Sequence, residues 1–252
     1  MGTKKILLLF LLNTLILFSQ NKSGEVVYKV VFSQDTTLQK KSDRLNQLQQ
    51  QAANGSSKIR LDLKFNKEFS QFSLQKSIED NDLKLAIAWA NCSNTIYCDL
   101  KAKKSYYNTE SNSMGIVKKD EFLIYNELGN DWVESTETKK IDAFDCYKAT
   151  KIIEFSTKNG IQKKEIIAWF CPKIPYSFGP KGYCGLPGMI LELTDKNVTF
   201  IAEKIILKNE NIDIKMPKNG KLVSNEEYQT ILKSRFEEKK KYRKIISIPS
   251  KN

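Results

Sequence analysis

FCPKIPYSFGPKGYCGLPGMILEL, residues 170–193, holds four of the chain's six prolines and four of its eleven glycines. Proline fixes φ and removes an amide donor, while glycine opens positive φ. Packed this densely they specify a backbone path that no helix can follow. The run Ile166-Ile167-Ala168-Trp169-Phe170 leads into the stretch and Met189-Ile190-Leu191-Glu192-Leu193 leads out of it. Both read as strands. The stretch is therefore a shaped connection between two strands, and the chain around it reads as a β protein.

Upstream lies the clearest hairpin. Residues 147–155 and 161–170 alternate apolar and polar and are joined by Ser156-Thr157-Lys158-Asn159-Gly160. Asn-Gly between alternating runs is a strong short-range turn signal. Pairing Lys158 with Ile161 sets Cys171 opposite Lys148, on the same side as Cys146 two residues away. Further strands are expected at residues 25–32, 59–65, 68–78, 83–89, 95–100, 105–107, 122–125, 131–134, 197–207 and 211–215. Residues 38–57 are Gln- and Lys-rich, with Leu38, Leu45 and Leu48 near helical spacing, and read as an amphipathic helix or a loose excursion. Ser224-Asn225-Glu226-Glu227 is a capping box, followed by Tyr228, Ile231, Leu232 and Phe236 on one helical face. The expected fold is mainly β: a curved antiparallel sheet or bowl-like half-barrel, with a C-terminal helix and one helical insertion near the N-terminus.

Residues 1–20 carry Lys4 and Lys5 ahead of an apolar run, the order of a secretory signal too short to span a membrane. The expected organisation is a leader at 1–20, one β-rich domain at 21–244 and a tail at 245–252. No later apolar run is long enough to span, so no transmembrane segment is expected once the leader is removed. The location expected is the periplasm or the extracellular space. The formal charge is +12, two units of it in Lys4 and Lys5. The lysines are dispersed and read as a solvated surface. An exported chain with no recognition motif is not expected to bind nucleic acid.

The chain has no histidine. That removes Ser-His-Asp and Cys-His catalysis, and no Cys/His zinc set is available. No cofactor or metal is expected. A carboxylate-pair mechanism survives, with Asp142, Asp145, Glu165, Glu192 and Asp195 nearest the 170–193 stretch. Trp169, Tyr176 and Tyr183 are the candidate ligand-contacting aromatics; burial in the core is the alternative for each. Of the five cysteines, Cys146 and Cys171 form the preferred disulfide, with Cys146–Cys184 as rival, and Cys92 with Cys98 closes a second small loop. Leu186 is expected to plug the core while Gly185 and Gly188 permit the turn around Pro187.

Gly179-Pro180 followed by Gly185-Leu186-Pro187-Gly188-Met189-Ile190-Leu191 resembles the signature of the GLPGLI family of exported bacterial proteins, with Met189 where Leu is usual. The resemblance takes in Trp132, Lys139-Lys140-Ile141, Cys146-x-Lys148-Ala149-Thr150, Ala168-Trp169-Phe170, Ile174-Pro175 and the early Leu63-x-Phe65-Asn66. It implies a Bacteroidetes lineage and no assigned activity. The family is similar to the bowl-shaped N-terminal β domain of some peptide-N-glycosidases, which implies a non-catalytic module without the glycosidase's catalytic domain. The expected function is binding of a glycan, a peptide, a lipid-like ligand or an envelope partner. A carboxylate-dependent hydrolase acting on glycans is the alternative.

Overall fold

A computed structural model describes residues 22–33, 43–78, 80–111, 115–157 and 160–246. The expected leader and most of the expected tail lie outside these residues. The described residues form twelve strands: β1 (Ser23–Phe32), β2 (Arg60–Asn66), β3 (Phe69–Leu74), β4 (Ile96–Asp99), β5 (Lys104–Asn108), β6 (Phe122–Glu127), β7 (Val133–Ile141), β8 (Phe144–Thr157), β9 (Gly160–Cys171), β10 (Met189–Asp195), β11 (Val198–Lys208) and β12 (Lys221–Ser224). They join in one open sheet ordered β12-β6-β5-β4-β3-β2-β1-β11-β10-β9-β8-β7. Neighbours run antiparallel except β6 and β12, which are parallel. Three helices accompany it: α1 (Asp43–Ser56), α2 (Asn81–Ala90) and α3 (Asn225–Ile246).

The inner face alternates as the sequence does. Val26, Tyr28 and Val30 of β1, Leu61, Leu63 and Phe65 of β2, and Phe200 and Leu193 beyond them are buried in one core. An Asx turn links β2 to β3: Asn66 Oδ1 accepts from the amides of Glu68 at 3.0 Å and Phe69 at 2.8 Å. A bulge interrupts β10 between Ile190 and Glu192. The Ile190 carbonyl beside it accepts a 2.6 Å bond from the buried Tyr28 hydroxyl, which serves an acceptor that the disturbed ladder leaves over.

The sheet is curved. Strands β5 and β8 stand eight steps apart in the sheet order, about 38 Å if it were flat. Side chains from both nonetheless line one cavity. The 170–193 connection occupies the hollow. Its 3₁₀ turn, Pro180–Gly182, packs against β3 and β4 although it is covalently attached between β9 and β10.

Three local readings change. Residues 83–89 are helical, not extended. Asp80 accepts from the Leu83 amide, Leu83, Ala86, Ile87 and Ala90 turn one face inward, and Asn91 ends the helix in a left-handed conformation. α1 packs directly on α2 through Gly55, where a Cβ would sit 2.2 Å from the Asp82 carbonyl oxygen. Residues 211–215 form no strand. They cross towards β12 with Ile214 buried and the Ile212 carbonyl accepting from Asn66 at 3.0 Å. The hairpin register also slips by two residues, with Thr157 facing Gly160 and Lys148 facing Trp169. Two residues preserve the faces, and the ladder's next step sets Cys171 against Cys146.

At the C-terminus the capping box forms as expected, with the Ser224 amide on Glu227 at 2.7 Å and the Glu227 amide on Ser224 Oγ at 3.1 Å. Tyr228, Ile231 and Leu232 then cover a small second core of Val117, Phe122, Ile124 and Val223. Phe236, expected on that face, stays exposed. Arg235 pairs with Glu121 at 2.7 Å instead.

Candidate functional site

The motif loop is built as a plug. Ile174, Tyr176, Phe178 and Leu186 point into the core and are buried. The path is fixed by its own hydrogen bonds, among them Ile190 N to Phe178 O at 2.9 Å, Met189 N to Ile174 O at 3.0 Å and Gly185 N to Ser177 O at 3.3 Å. The Trp132 indole N–H donates to the Cys184 carbonyl at 3.0 Å. Gly188 stands so close to the end of β9 that a Cβ there would lie 2.3 Å from the Cys171 carbonyl oxygen. Gly188→Ala is expected to lower stability by about 2 kcal/mol, because the clash is with backbone and neither strand can yield. A lowered urea midpoint with unchanged slope is the expected result; a wild-type midpoint would contradict this packing.

Between the loop and the two arms of the curved sheet lies a cavity of about 490 Å³. Its floor carries Lys151 and Ile153 of β8, Lys164 of β9 and Asp195 of β10. The opposing arm contributes Ile96, Ser105, Tyr107, Asn126 and Glu127, and the loop contributes Lys181 and Tyr183. Asn91, Asn94 and Asn225 complete the lining from the ends of α2 and α3. Hydrogen-bonding groups predominate over apolar ones.

A charge cluster organises the floor. Lys164 Nζ lies 2.8 and 2.7 Å from the two oxygens of Asp195. Lys181 Nζ lies 3.6 Å from the same carboxylate and donates to the Ala90 carbonyl at 3.4 Å. Lys181 adopts φ 56°, left-handed for a non-glycine residue, and only 14% of its side chain is exposed. Burial holds its pKa below the usual lysine value, opposed by the Asp195 charge. Lys151 pairs with Asp131 at 2.5 Å, and Glu127 with Lys104 at 3.4 Å. Burial raises the Tyr183 hydroxyl and pushes that of Tyr107 up to about 12, so both are protonated donors at neutral pH.

The family model described as a protein of unknown function (Porph_ging) matches residues 157–192. The matched segment is β9 with the motif loop. Its name differs from that of the family the signature resembles, and it takes in the same Gly185–Leu191 run. None of the curated proteins matches. Five solved chains match. Among them PNGF-II, solved in space group P21, aligns at 11% identity over 85% of this chain and 34% of its own, with a TM-score of 0.49. This chain thus spans about a third of the length of PNGF-II.

The aromatics named from the sequence do not meet. Trp169 stands on the outer face, with Lys139 Nζ 4.5 Å from its ring centre and Glu192 2.6 Å from that lysine. Tyr176 is core, its ring 4.7 Å from Phe65. Tyr183 alone of the three lines the cavity. The carboxylates disperse likewise: Glu192 pairs with Lys139, Asp145 with Lys173 at 3.1 Å, and only Asp195 enters the cavity. Lys151, Lys164 and Lys181, read from composition as solvated, turn inward instead. Their signal was faint: a lysine set among glycines and prolines at 181, and two at inward positions of alternating strands.

All five cysteines are buried. Cys92 leans on the Ile87 carbonyl at the end of α2. The Cys98 sulfur is directed at the Gly182 carbonyl, 3.5 Å away. The Cys98 sulfur lies 3.9 Å from that of Cys184.

Proposed function

We propose that this chain is an exported binding module of the GLPGLI type, acting without chemistry of its own, that takes a hydroxyl-rich ligand such as a glycan segment into the cavity. The cavity lining carries the proposal. Four carboxamides, a serine and two tyrosine hydroxyls converge there, each able to donate and to accept, with the Tyr107 hydroxyl donating to Asn225 Oδ1 at 3.4 Å. Among the described residues no protein group engages the side chains of Asn91, Asn94 or Asn126. Such a set suits the alternating donors and acceptors of sugar hydroxyls, with Tyr183 and Tyr107 as apolar faces for the ring. It suits a peptide's apolar side chains or a lipid tail less well, since Ile96, Leu128 and Ile153 supply little apolar wall. The hydrolase reading needs a pair of working carboxylates. Both carboxylates here, Glu127 and Asp195, are held by lysines. The expected leader at 1–20 and the signature at 185–191 support export and the GLPGLI assignment.

The test is calorimetric titration of the chain with neutral and acidic oligosaccharides. Saturable binding is expected, weakened about tenfold by Asn126→Ala and by Asn94→Ala, the loss of roughly one hydrogen bond each. If no sugar binds, or if both variants bind as tightly as wild type, the reading is wrong. Release of a product during the titration would restore the hydrolase.

A further inference from the structure

We propose that Cys98 and Cys184 are a dithiol that is oxidised to a disulfide, fastening the motif loop to β4. The pair was invisible to spacing, because 86 positions separate the two residues and only the curvature of the sheet brings them together. Both sulfurs are directed at one point. Cys98 Sγ lies 3.5 Å and Cys184 Sγ 3.4 Å from the same Gly182 carbonyl oxygen, and they lie 3.9 Å from each other. A disulfide holds its sulfurs at about 2 Å, and the remaining gap is of the size that rotating one χ1 covers. Apart from the Cys146–Cys171 neighbours at the foot of the hairpin, no other pair among the described cysteines shows such convergence.

Cys184 also lines the cavity, so an oxidant has a route to it while Cys98 stays behind it, 1% exposed. The co-reactant is a disulfide oxidant, either a small-molecule disulfide or a dithiol oxidoreductase in its oxidised form. One cysteine, as thiolate, attacks a sulfur of the oxidant, forming a mixed disulfide and releasing one reduced thiol. The other cysteine, also as thiolate, attacks the protein sulfur of that mixed disulfide and releases the second. Two protein thiols lose two electrons and two protons, and the oxidant gains them as two thiols. Within the folded chain the Cys184 thiol is held far above its usual range by its bond with Cys98 and by burial, so the exchange runs faster while the chain folds than afterwards.

The consequence is mechanical. The 3₁₀ turn and Tyr183 form one wall of the cavity, and a bond at residue 184 sets that wall against β4 independently of the core packing. This proposal does not rest on the glycan reading.

The test is to refold the full chain in a buffer of reduced and oxidised glutathione, block free thiols, and map peptides without reduction. The expected product is a peptide pair joined through Cys98 and Cys184, with Cys92 blocked. Reductant is then expected to lower the melting temperature by about 5–10 °C, given the long stretch the bond would close. In a Cys98→Ala/Cys184→Ala variant, the part of that shift due to this bond disappears. Recovery of Cys98 and Cys184 both blocked, or of either joined to another cysteine, overturns the assignment.

Discussion

Leu186→Asp is expected to abolish cooperative folding. Leu186 is 1% exposed, at the centre of a loop whose other inward residues are also buried. Removing a buried leucine side chain costs about 2–5 kcal/mol through lost transfer energy and the cavity left behind. Placing a carboxylate there adds a desolvation penalty of several kcal/mol, since Leu186 belongs to the buried apolar core that also holds Phe178, Ile190 and Cys171. The sum approaches the whole stability of an ordinary domain, about 5–15 kcal/mol. Far-UV circular dichroism during heating should show no sharp transition, or one lowered by more than about 15 °C. Leu186→Met keeps the volume and should stay within about 1.5 kcal/mol of wild type. A folded Leu186→Asp protein that melts normally but no longer binds its ligand would move the motif from scaffold to site.

That experiment addresses the part of the molecule most legible in the sequence. Glycine and proline density marked the loop, and alternation marked β1, β2, β8 and β9, because one face of each is buried and the pattern of two survives. The capping box marked α3 for a similarly local reason. Residues 83–89 were ambiguous, since a short apolar run fits a buried strand or a buried helix, and Asp80 three residues ahead of Leu83 was the decisive detail. Residues 135–141 gave no signal because β7 is an edge strand whose side chains, as far as Thr138, face solvent. The cavity could not be read at all. Its walls come from residues 91–129 with Asn225 on one side and 151–195 on the other, and only the curvature of the whole sheet joins them. The lysines on its floor were misjudged for the same reason: composition reports charge, whereas burial is set by long-range pairing.

The floor is where the second large effect is expected. Asp195, with 10% of its side chain exposed, stands between Lys164 and Lys181. Asp195→Asn keeps the shape but leaves two ammonium groups confined together without their anion. Breaking a buried pair from one side costs about 3–5 kcal/mol; about 2–3 kcal/mol is expected here, because Lys164 retains some contact with water. The pH dependence identifies the cause. Burial already depresses the Lys181 pKa from 10.5, and Asp195 is the charge that raises it again, so the variant depresses it further. Between that depressed value and 10.5 the unfolded chain binds more protons than the folded one, and stability rises with pH. The deficit of Asp195→Asn relative to wild type should therefore be largest near neutral pH and shrink as pH climbs towards 10. Lys181→Met in the same background removes one of the confined charges and should recover at least half of the loss at pH 7, a coupling that a double-mutant cycle in urea measures directly. A deficit that is flat with pH and indifferent to Lys181→Met would mean that Asp195 acts through its hydrogen bonds alone and that the cavity floor carries no stored repulsion. With the charge account upheld, Asp195 is the counter-ion that keeps two lysines in place on the cavity floor.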